Sequence, residues 1–319
     1  MRVPKKNKKN KFTFFVTIET HWYQKLKSIH NQIPIIMKKL PIVLLLLISV
    51  CQSFAQNTNA FEVKVIGTGE PIILIPGYSC SGEVWNETAE HLKSNYQLHV
   101  LTLAGFGNAQ PIQDEEILKT VRNQIIQYVK DNKLRKPMLI GHSLGAFMTL
   151  WLQSTEPNLF GKSICVDGVP FISAIYNPTA TAQSVKENPQ FNKAMVIENF
   201  KNLPNEGYIE NMIKSMAYQV NDTARARQIA TWNFQSDRRT LGSTLVEMST
   251  TDLRPELPKI KQNILVLASI FQTKENSEKI YGEQYALLPK KTLLVADSKH
   301  FIMYDQPEWF YAQIDAFLK

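Results

Sequence analysis

The 319-residue sequence contains only three cysteines, and two of them, Cys80 and Cys165, lie beyond the N-terminal segment. So few cysteines exclude a disulfide-rich scaffold. Cys165 falls in the apolar run Ser163–Val166, which is typical of a buried strand, so we expect both thiols to stay unpaired. The histidines show neither i,i+4 nor Cys-rich spacing, and no glycine-rich phosphate loop is present, so we expect no metal and no cofactor.

A long apolar run is also missing. The run Leu40–Val50 is far shorter than the roughly 20 residues that a membrane span needs, so no stable span is expected. Lys38 and Lys39 precede this run, and Ser53 and Ala55 follow it at the −3 and −1 positions of a small-residue cleavage site. This order is typical of a secretory signal peptide. We therefore expect export to the periplasm or the extracellular space, with a mature chain that starts at Gln56.

Residues 1–36 stand in front of a signal that is already complete at Met37. Either Met37 is the true start and residues 1–36 are an extension of the gene model, or the signal has an unusually long N-terminal region. We favour the first interpretation. In both cases residues 1–55 are expected to lie outside the folded domain, which covers residues 56–319.

The net charge of +8 suggests a nucleic-acid partner at first sight, but the distribution of charge argues against one. Residues 1–55 hold ten Lys/Arg and a single acid, Glu19, which leaves 26 Lys/Arg and 27 Asp/Glu for the other 264 residues. The folded part is therefore close to neutral and lacks the basic footprint of a nucleic-acid-binding protein. A small-molecule substrate is the partner we expect, and the oligomeric state stays open.

Short apolar runs alternate with longer segments of helical periodicity, which predicts an α/β fold with a mostly parallel, doubly wound sheet. Strands are predicted at 61–66, 72–75, 97–103, 137–140, 163–166, 264–267 and 292–295. Helices are predicted at 117–129, 144–152 and 307–318. Between about 170 and 250 the rhythm is helical without a buried-strand run, which predicts a helical cap inserted between two strands.

The pentapeptide GHSLG, residues 141–145, lies between the strand 137–140 and the helix 144–152. G-x-S-x-G in a strand–turn–helix setting is typical of a nucleophile elbow. The two glycines permit the tight turn, and the helix N-terminus behind the serine favours developing negative charge. This pattern predicts Ser143 as a nucleophile.

Three further segments resemble α/β-hydrolases, and the likeness covers nearly all of residues 61–319. IPGYSCSGEVW, residues 75–85, resembles the loop that supplies one oxyanion-hole amide, and LAGFG, residues 103–107, resembles the family's glycine-rich turn. Residues 299–309 resemble the catalytic-histidine loop and final helix. The resemblance implies an oxyanion hole formed by the backbone amides of Tyr78 and Leu144.

A serine nucleophile needs an imidazole to take its proton. His91 is expected to lie on a further helix, His99 lies within a predicted strand, and His142 flanks the serine, so the His142 side chain should point elsewhere. His300 follows the last strand, at the carboxyl edge of the sheet where such sites lie. We therefore expect His300 to be the base.

The acid departs from the usual family pattern. Many relatives carry an Asp after the strand that is residues 264–267 in this sequence, but residues 268–273 hold no carboxylate. Some relatives place the acid after the preceding strand, and Asp167 stands there. Asp167 is therefore the favoured triad acid, with Glu275 and Asp252 as alternatives. Asp167 also has a structural interpretation, as the residue that caps the following turn.

These features predict a serine hydrolase that works through an acyl-enzyme, acting on a carboxylic ester with an apolar portion. The alternatives are a capped C–C bond or amide hydrolase with the same triad, and an inactive binding protein that keeps the pocket. Met195, Met212 and Met216 in the insertion would either face an apolar substrate or pack inside the cap.

Overall fold

The computed structural model describes residues 59–175 and 177–319. The predicted signal peptide and the extension before it, residues 1–55, lie outside the described residues. Residues Asn59–Lys319 form one compact unit. Within the described part of the chain, no helix has both the length and the hydrophobicity that crossing a membrane requires.

A seven-stranded sheet forms the centre of this unit. The strands are β1 (Phe61–Ile66), β2 (Glu70–Ile75), β3 (Tyr96–Leu103), β4 (Met138–His142), β5 (Ser163–Val166), β6 (Ile264–Ala268) and β7 (Lys291–Val295). Their order across the sheet is β1-β3-β2-β4-β5-β6-β7. β1 pairs antiparallel with β3, and every other pair is parallel. The predicted mostly parallel α/β sheet is confirmed, and each predicted strand is present within two residues of its expected bounds.

Helices cover both faces of the sheet. They are α1 (Asn86–Leu92), α2 (Ile117–Asp131), α3 (Leu144–Thr155), α9 (Lys274–Gln284), α10 (Ile302–Asp305) and α11 (Pro307–Leu318). The central strands β4, β5 and β6 are buried along their whole length, because helices shield them on both sides. This burial explains why the strands appear in the sequence as continuous apolar runs.

The insertion between β5 and β6 is helical, as predicted. It contains a short 3-10 helix (Ile172–Ala174) followed by α4 (Ala182–Glu187), α5 (Lys193–Lys201), α6 (Tyr208–Met216), α7 (Thr223–Gln235) and α8 (Arg238–Thr250). No strand occurs in the described residues of this segment. Side chains of α5 to α8 line the same cavity as Ser143, so these helices form a cap above the carboxyl edge of the sheet.

Candidate active site

Ser143 occupies the turn between β4 and α3. Its backbone has φ 55° and ψ −115°, a conformation that non-glycine residues rarely adopt and that clusters at functional sites. The flanking glycines make the turn possible. A Cβ on Gly141 would collide with the backbone of Gly145, and a Cβ on Gly145 would collide with the carbonyl of Ile75. The G-x-S-x-G spacing is therefore a packing requirement of this strand–turn–helix unit.

His300 follows β7, and its ring contacts the carboxylate of Asp167, which follows β5. His300 Nδ1 lies 2.5 Å from Asp167 Oδ2. The two residues are 133 positions apart in the chain, and parallel pairing of β5, β6 and β7 brings their loops to one edge of the sheet. A carboxylate in this position holds an imidazole in one tautomer, with its other ring nitrogen available to accept a proton.

Three more hydrogen bonds fix the Asp167 carboxylate. The Ser269 amide donates to Oδ1 at 2.5 Å, and the Ser269 hydroxyl donates to Oδ2 at 2.9 Å. The Tyr281 hydroxyl donates to Oδ1 at 2.7 Å. Asp167 is only 6% exposed, so these donors replace the water that an exposed carboxylate would bind.

The same contacts set the charge state of the pair. Burial raises the pKa of Asp167, but the hydrogen bond and charge of His300, together with hydrogen bonds from Ser269 and Tyr281, outweigh burial and leave the pKa below its usual value. The pKa of Tyr281 lies well above its usual value, because burial and the Asp167 carboxylate both disfavour a phenolate. Asp167 is therefore an ionised acceptor, and Tyr281 is a neutral donor.

The two other candidate acids lie elsewhere. Glu275 is exposed in the first turn of α9. Asp252 binds Arg254 at 2.7 Å and also accepts from the Arg254 backbone amide. Neither residue lines the cavity that contains Ser143 and His300, whereas Asp167 does. The structure brings together Asp167 and His300, and it gives Asp252 a structural ion pair.

The loop after β2 passes beside the elbow. A Cβ on Gly77 would lie 2.8 Å from His142 Nδ1 and 3.3 Å from the Cβ of Ser143, so glycine lets the loop pass close to the elbow without displacing the His142 ring. Tyr78 and Leu144 line the cavity together with Ser143. Within residues 59–175 and 177–319, neither the Tyr78 amide nor the Leu144 amide has a hydrogen-bond acceptor. Two unpaired amides beside a serine can stabilise a negatively charged oxygen.

Hydrogen bonds connect this loop to the cap. The Tyr78 hydroxyl donates to the carbonyl of Leu241 on α8 at 2.8 Å. Ser79, which has a positive φ of 61°, accepts from Asn233 of α7 at 3.0 Å. Asn233 in turn accepts from the Tyr208 hydroxyl at 2.5 Å. The cap therefore fixes the conformation of the loop that carries the Tyr78 amide.

His142 is a site residue that sequence reasoning set aside. Its Nε2–H donates to the backbone carbonyl of His300 at 3.0 Å, and its ring lies 4.6 Å from the rings of both His300 and Phe301. Burial, followed by the proximity of His300, lowers its pKa to about 3, so the ring stays neutral near pH 7. A neutral His142 thus joins the serine turn to the histidine loop. Its position inside the GHSLG motif is the sequence feature that could have identified it as a site residue.

Ser269, Tyr281 and Asn233 were also missed. Each acts on a residue more than 100 positions away along the chain, and nothing in the local sequence marks them. The two cysteines behave as expected: Cys80 and Cys165 are buried and free, and burial raises the pKa of each thiol to about 12. Among the described residues, no group of three or more His, Cys, Asp or Glu side chains is arranged to hold a metal ion.

A cavity of about 1,070 Å³ lies between the sheet edge and the cap. Met212 and Met216 line it, and so does Met248, which sequence reasoning did not single out. Met195 is 44% exposed and does not line the cavity. Two of the three predicted methionines therefore face the space in which a substrate would bind.

Comparisons with known proteins agree with this architecture. A family model described as the alpha/beta hydrolase family matches residues 72–313. The pimeloyl-(acyl-carrier protein) methyl ester esterase of Aeromonas salmonicida is 25% identical over 248 residues, which are 75% of this chain and 86% of the relative. The enzyme of the same name from Aliivibrio fischeri is 27% identical over 117 residues, which are 37% of this chain and 44% of the relative.

A solved structure shares the fold. The thermophilic esterase from Thermogutta terrifontis superposes with a TM-score of 0.65 at 19% identity, covering 81% of this chain and 92% of that chain. The family match spans most of the chain, and it includes the serine turn, Asp167 and the His300 loop. The chain therefore belongs to the alpha/beta hydrolase family and is a hydrolase of that family.

Proposed function

We propose that this protein is a serine hydrolase that cleaves a carboxylic ester with an apolar portion through an acyl-enzyme. The observation that carries the proposal is the contact of 2.5 Å between His300 and the buried Asp167, beside the turn that presents Ser143. Relatives named as esterases support the ester as the bond cleaved. The largely apolar walls of the cavity support the apolar portion.

In the proposed reaction the Ser143 oxygen attacks the ester carbonyl carbon while His300 Nε2 takes the serine proton. A C–O bond forms, and the carbonyl π electrons move to oxygen. The tetrahedral intermediate then collapses, the bond to the alkoxy oxygen breaks, and His300 gives its proton to the departing alcohol. Water attacks the acyl-enzyme by the same route, which releases the carboxylic acid and restores the Ser143 hydroxyl.

The surrounding groups have defined roles in this scheme. Asp167 accepts from His300 Nδ1 and stabilises the imidazolium that forms when Ser143 loses its proton. The amides of Tyr78 and Leu144 would donate to the oxyanion, and removing one such donor typically costs about 3 kcal/mol of transition-state stabilisation. His142 holds the His300 loop against the serine turn through the 3.0 Å bond to the His300 carbonyl.

A fluorophosphonate probe tests whether Ser143 is an activated serine. We expect the full chain to be labelled at Ser143, as identified by mass spectrometry, and the Ser143→Ala variant to be neither labelled nor active on short-chain esters. Ser154→Ala is the matched control, because Ser154 lies on α3, the helix that follows Ser143, and donates to the Trp151 carbonyl instead. An unlabelled wild-type protein, or equal labelling of the Ser143→Ala variant, would reject the proposal.

We also propose that the protein is exported and that its mature chain begins at Gln56. The support is the order of Lys38 and Lys39, the apolar run Leu40–Val50 and the small residues Ser53 and Ala55. N-terminal sequencing of the protein recovered from its natural source tests this. A cytoplasmic protein that retains residues 37–55 would contradict it.

A further inference from the structure

The apolar lining of the cavity comes from two separate hydrophobic clusters on opposite faces of the sheet. Alternate residues of β2 show the division: Ile73 and Ile75 belong to one cluster, and Ile72 and Leu74 belong to the other. The cavity lies across the carboxyl edge of the sheet and touches both clusters. It therefore has two apolar sides rather than one.

The first side, called the Phe147 arm, lies beside α3 and beneath α5 and α8. Its members pack with the cluster that contains Ile73, and they are Phe147, Ile172, Phe200, Leu245 and Met248. The second side, called the Phe301 arm, lies beneath α6 and α7 and beside the His300 loop. Its members pack with the cluster that contains Ile72, and they are Met212, Met216, Ile229 and Phe301.

Ser143 stands between the two arms. Leu144, the next residue, packs into the cluster of the Phe147 arm. His142, the preceding residue, places its ring 4.6 Å from that of Phe301. An ester carbonyl carbon bonded to Ser143 would therefore have an apolar wall on each side.

Few charged side chains line the cavity among the described residues. The charged lining residues outside the Asp167–His300 pair are Glu206 and Lys299. Glu206 is exposed, and the Lys299 ammonium donates to the carbonyl of Ala217 at 2.7 Å. A substrate carboxylate or phosphate buried among the apolar members of either arm would lose its hydration, and Lys299, the one Lys or Arg among the described lining residues, already donates to a backbone carbonyl.

We infer that the substrate is an uncharged ester with an apolar group of several carbons on both its acyl and its alcohol side; this inference rests on the ester hydrolysis proposed above. His300 must protonate the leaving alkoxy oxygen, so the alcohol lies on the His300 side, in the Phe301 arm. The acyl chain then occupies the Phe147 arm. A cavity of about 1,070 Å³ has room for both groups.

Two matched ester series test the inference on the full chain. Alkyl acetates from methyl to hexyl vary the alcohol, and methyl alkanoates from acetate to heptanoate vary the acyl group. Each buried methylene is worth about 0.8 kcal/mol, or about fourfold. We expect kcat/KM to rise at least tenfold along both series in the wild-type protein. A rise along only one series, or along neither, would overturn the inference.

Two bulky substitutions assign the arms. Met212→Trp fills the Phe301 arm and Leu245→Trp fills the Phe147 arm; both residues are half-buried on cap helices. We expect Met212→Trp to flatten the rise along the alkyl acetates and Leu245→Trp to flatten the rise along the methyl alkanoates. The reverse assignment, or equal flattening of both series by either variant, would overturn the inference.

Two controls complete the design. Met195→Trp adds the same bulk to α5 outside the cavity and should preserve both chain-length profiles. If either tryptophan variant fails to fold, Met212→Phe and Leu245→Phe replace them with the same expected pattern.

Fluorophosphonate labelling separates the two proposals. A labelled Ser143 with a one-sided chain-length profile overturns the two-arm inference alone, whereas an unlabelled Ser143 overturns the proposed hydrolysis.

Discussion

The sheet edge and the cap differ in how firmly each holds the side chains that it contributes to the site. At the sheet edge, Asp167 is 6% exposed and is held by His300, Ser269 and Tyr281 through four hydrogen bonds. In the cap, Leu203 lines the same cavity but is 40% exposed. At the edge, directional bonds hold the Asp167 carboxylate, whereas the cap side chains that line the cavity supply mainly shape and hydrophobicity. We therefore expect the edge to determine the type of reaction and the cap to determine the choice of substrate.

The most severe test of this difference is Asp167→Asn. We expect kcat to fall by about 10⁴-fold, the loss known when the acid of a Ser-His-Asp triad becomes an amide, because Asn presents the wrong donor to His300 Nδ1. Steady-state kinetics on a short-chain ester measures this. Glu275→Gln is the control, because Glu275 is exposed and does not line the cavity, and kcat should stay at the wild-type value. A near-wild-type kcat for Asp167→Asn would remove Asp167 from the reaction.

Tyr281→Phe tests whether the hydrogen bond from Tyr281 to Asp167 contributes to catalysis. The change removes the 2.7 Å hydrogen bond to Oδ1, and bonds to charged groups are worth about 1.5–3 kcal/mol, so we expect kcat to fall by about 10- to 100-fold with little change in KM.

The neighbouring Tyr285→Phe is the matched control for Tyr281→Phe. Tyr285 stacks on Tyr281 with ring centroids 6.4 Å apart, but its hydroxyl donates to the Gly168 carbonyl at 2.7 Å. This variant should lose stability and keep its kcat. Equal losses of kcat in the two variants would mean that Tyr281 has only a structural role.

Asn233→Ala tests the connection between cap and edge. It removes the bond to Ser79 and leaves the Tyr208 hydroxyl without its acceptor. We expect the free energy of unfolding to fall by about 1–3 kcal/mol and kcat to fall only a few-fold, because the loop that carries the Tyr78 amide loses one of its supports.

Urea unfolding and steady-state kinetics measure both effects of Asn233→Ala. Tyr208→Phe is the graded control, because it keeps the bond from Asn233 to Ser79. It should therefore preserve more of kcat than Asn233→Ala does. A loss of kcat as large as that of Asp167→Asn would show that this hydrogen bond from the cap matters as much for catalysis as the carboxylate at the sheet edge.

The pH dependence of stability provides a smaller test, which concerns His142 at the edge. The unfolded chain takes up a proton at this histidine near pH 6.5, whereas burial lowers the pKa to about 3 in the folded protein. Between these values the unfolded state binds more protons, so the free energy of unfolding falls as the pH falls, by about 1.4 kcal/mol per pH unit from this group.

His142→Gln removes this group and keeps a donor for the His300 carbonyl. Urea unfolding between pH 6 and 4.5 compares the two proteins. The wild-type protein should lose stability on acidification more steeply than the variant. Identical slopes would contradict a buried, neutral His142.

Much of the edge could be predicted from the sequence, because buried parallel strands appear as continuous apolar runs and the serine turn has a strict glycine spacing. His300 followed from its place after the last strand. Asp167 was favoured because residues 268–273 hold no acid, and the structure explains that absence: Ser269 follows β6 and donates to Asp167 instead of supplying a carboxylate.

The cap could be predicted as helical, but not in its details. Its helices face the cavity, the sheet and the solvent at once, so hydrophobic periodicity does not show which side chains reach the substrate. Met195 was grouped with Met212 and Met216 but is exposed, and Met248 was overlooked. Likewise, Asn233 binds a serine 154 positions away, and no local pattern marks such a contact.

We propose that Asp167 and His300 act on Ser143 as one catalytic unit. A double-mutant cycle tests this proposal, with kcat/KM measured for His300→Ala, Asp167→Asn and the double variant on one short-chain ester. Asp167 acts only through the His300 ring, so we expect the double variant to be no more than a few-fold slower than His300→Ala alone. Losses that multiply in the double variant would contradict a single catalytic unit.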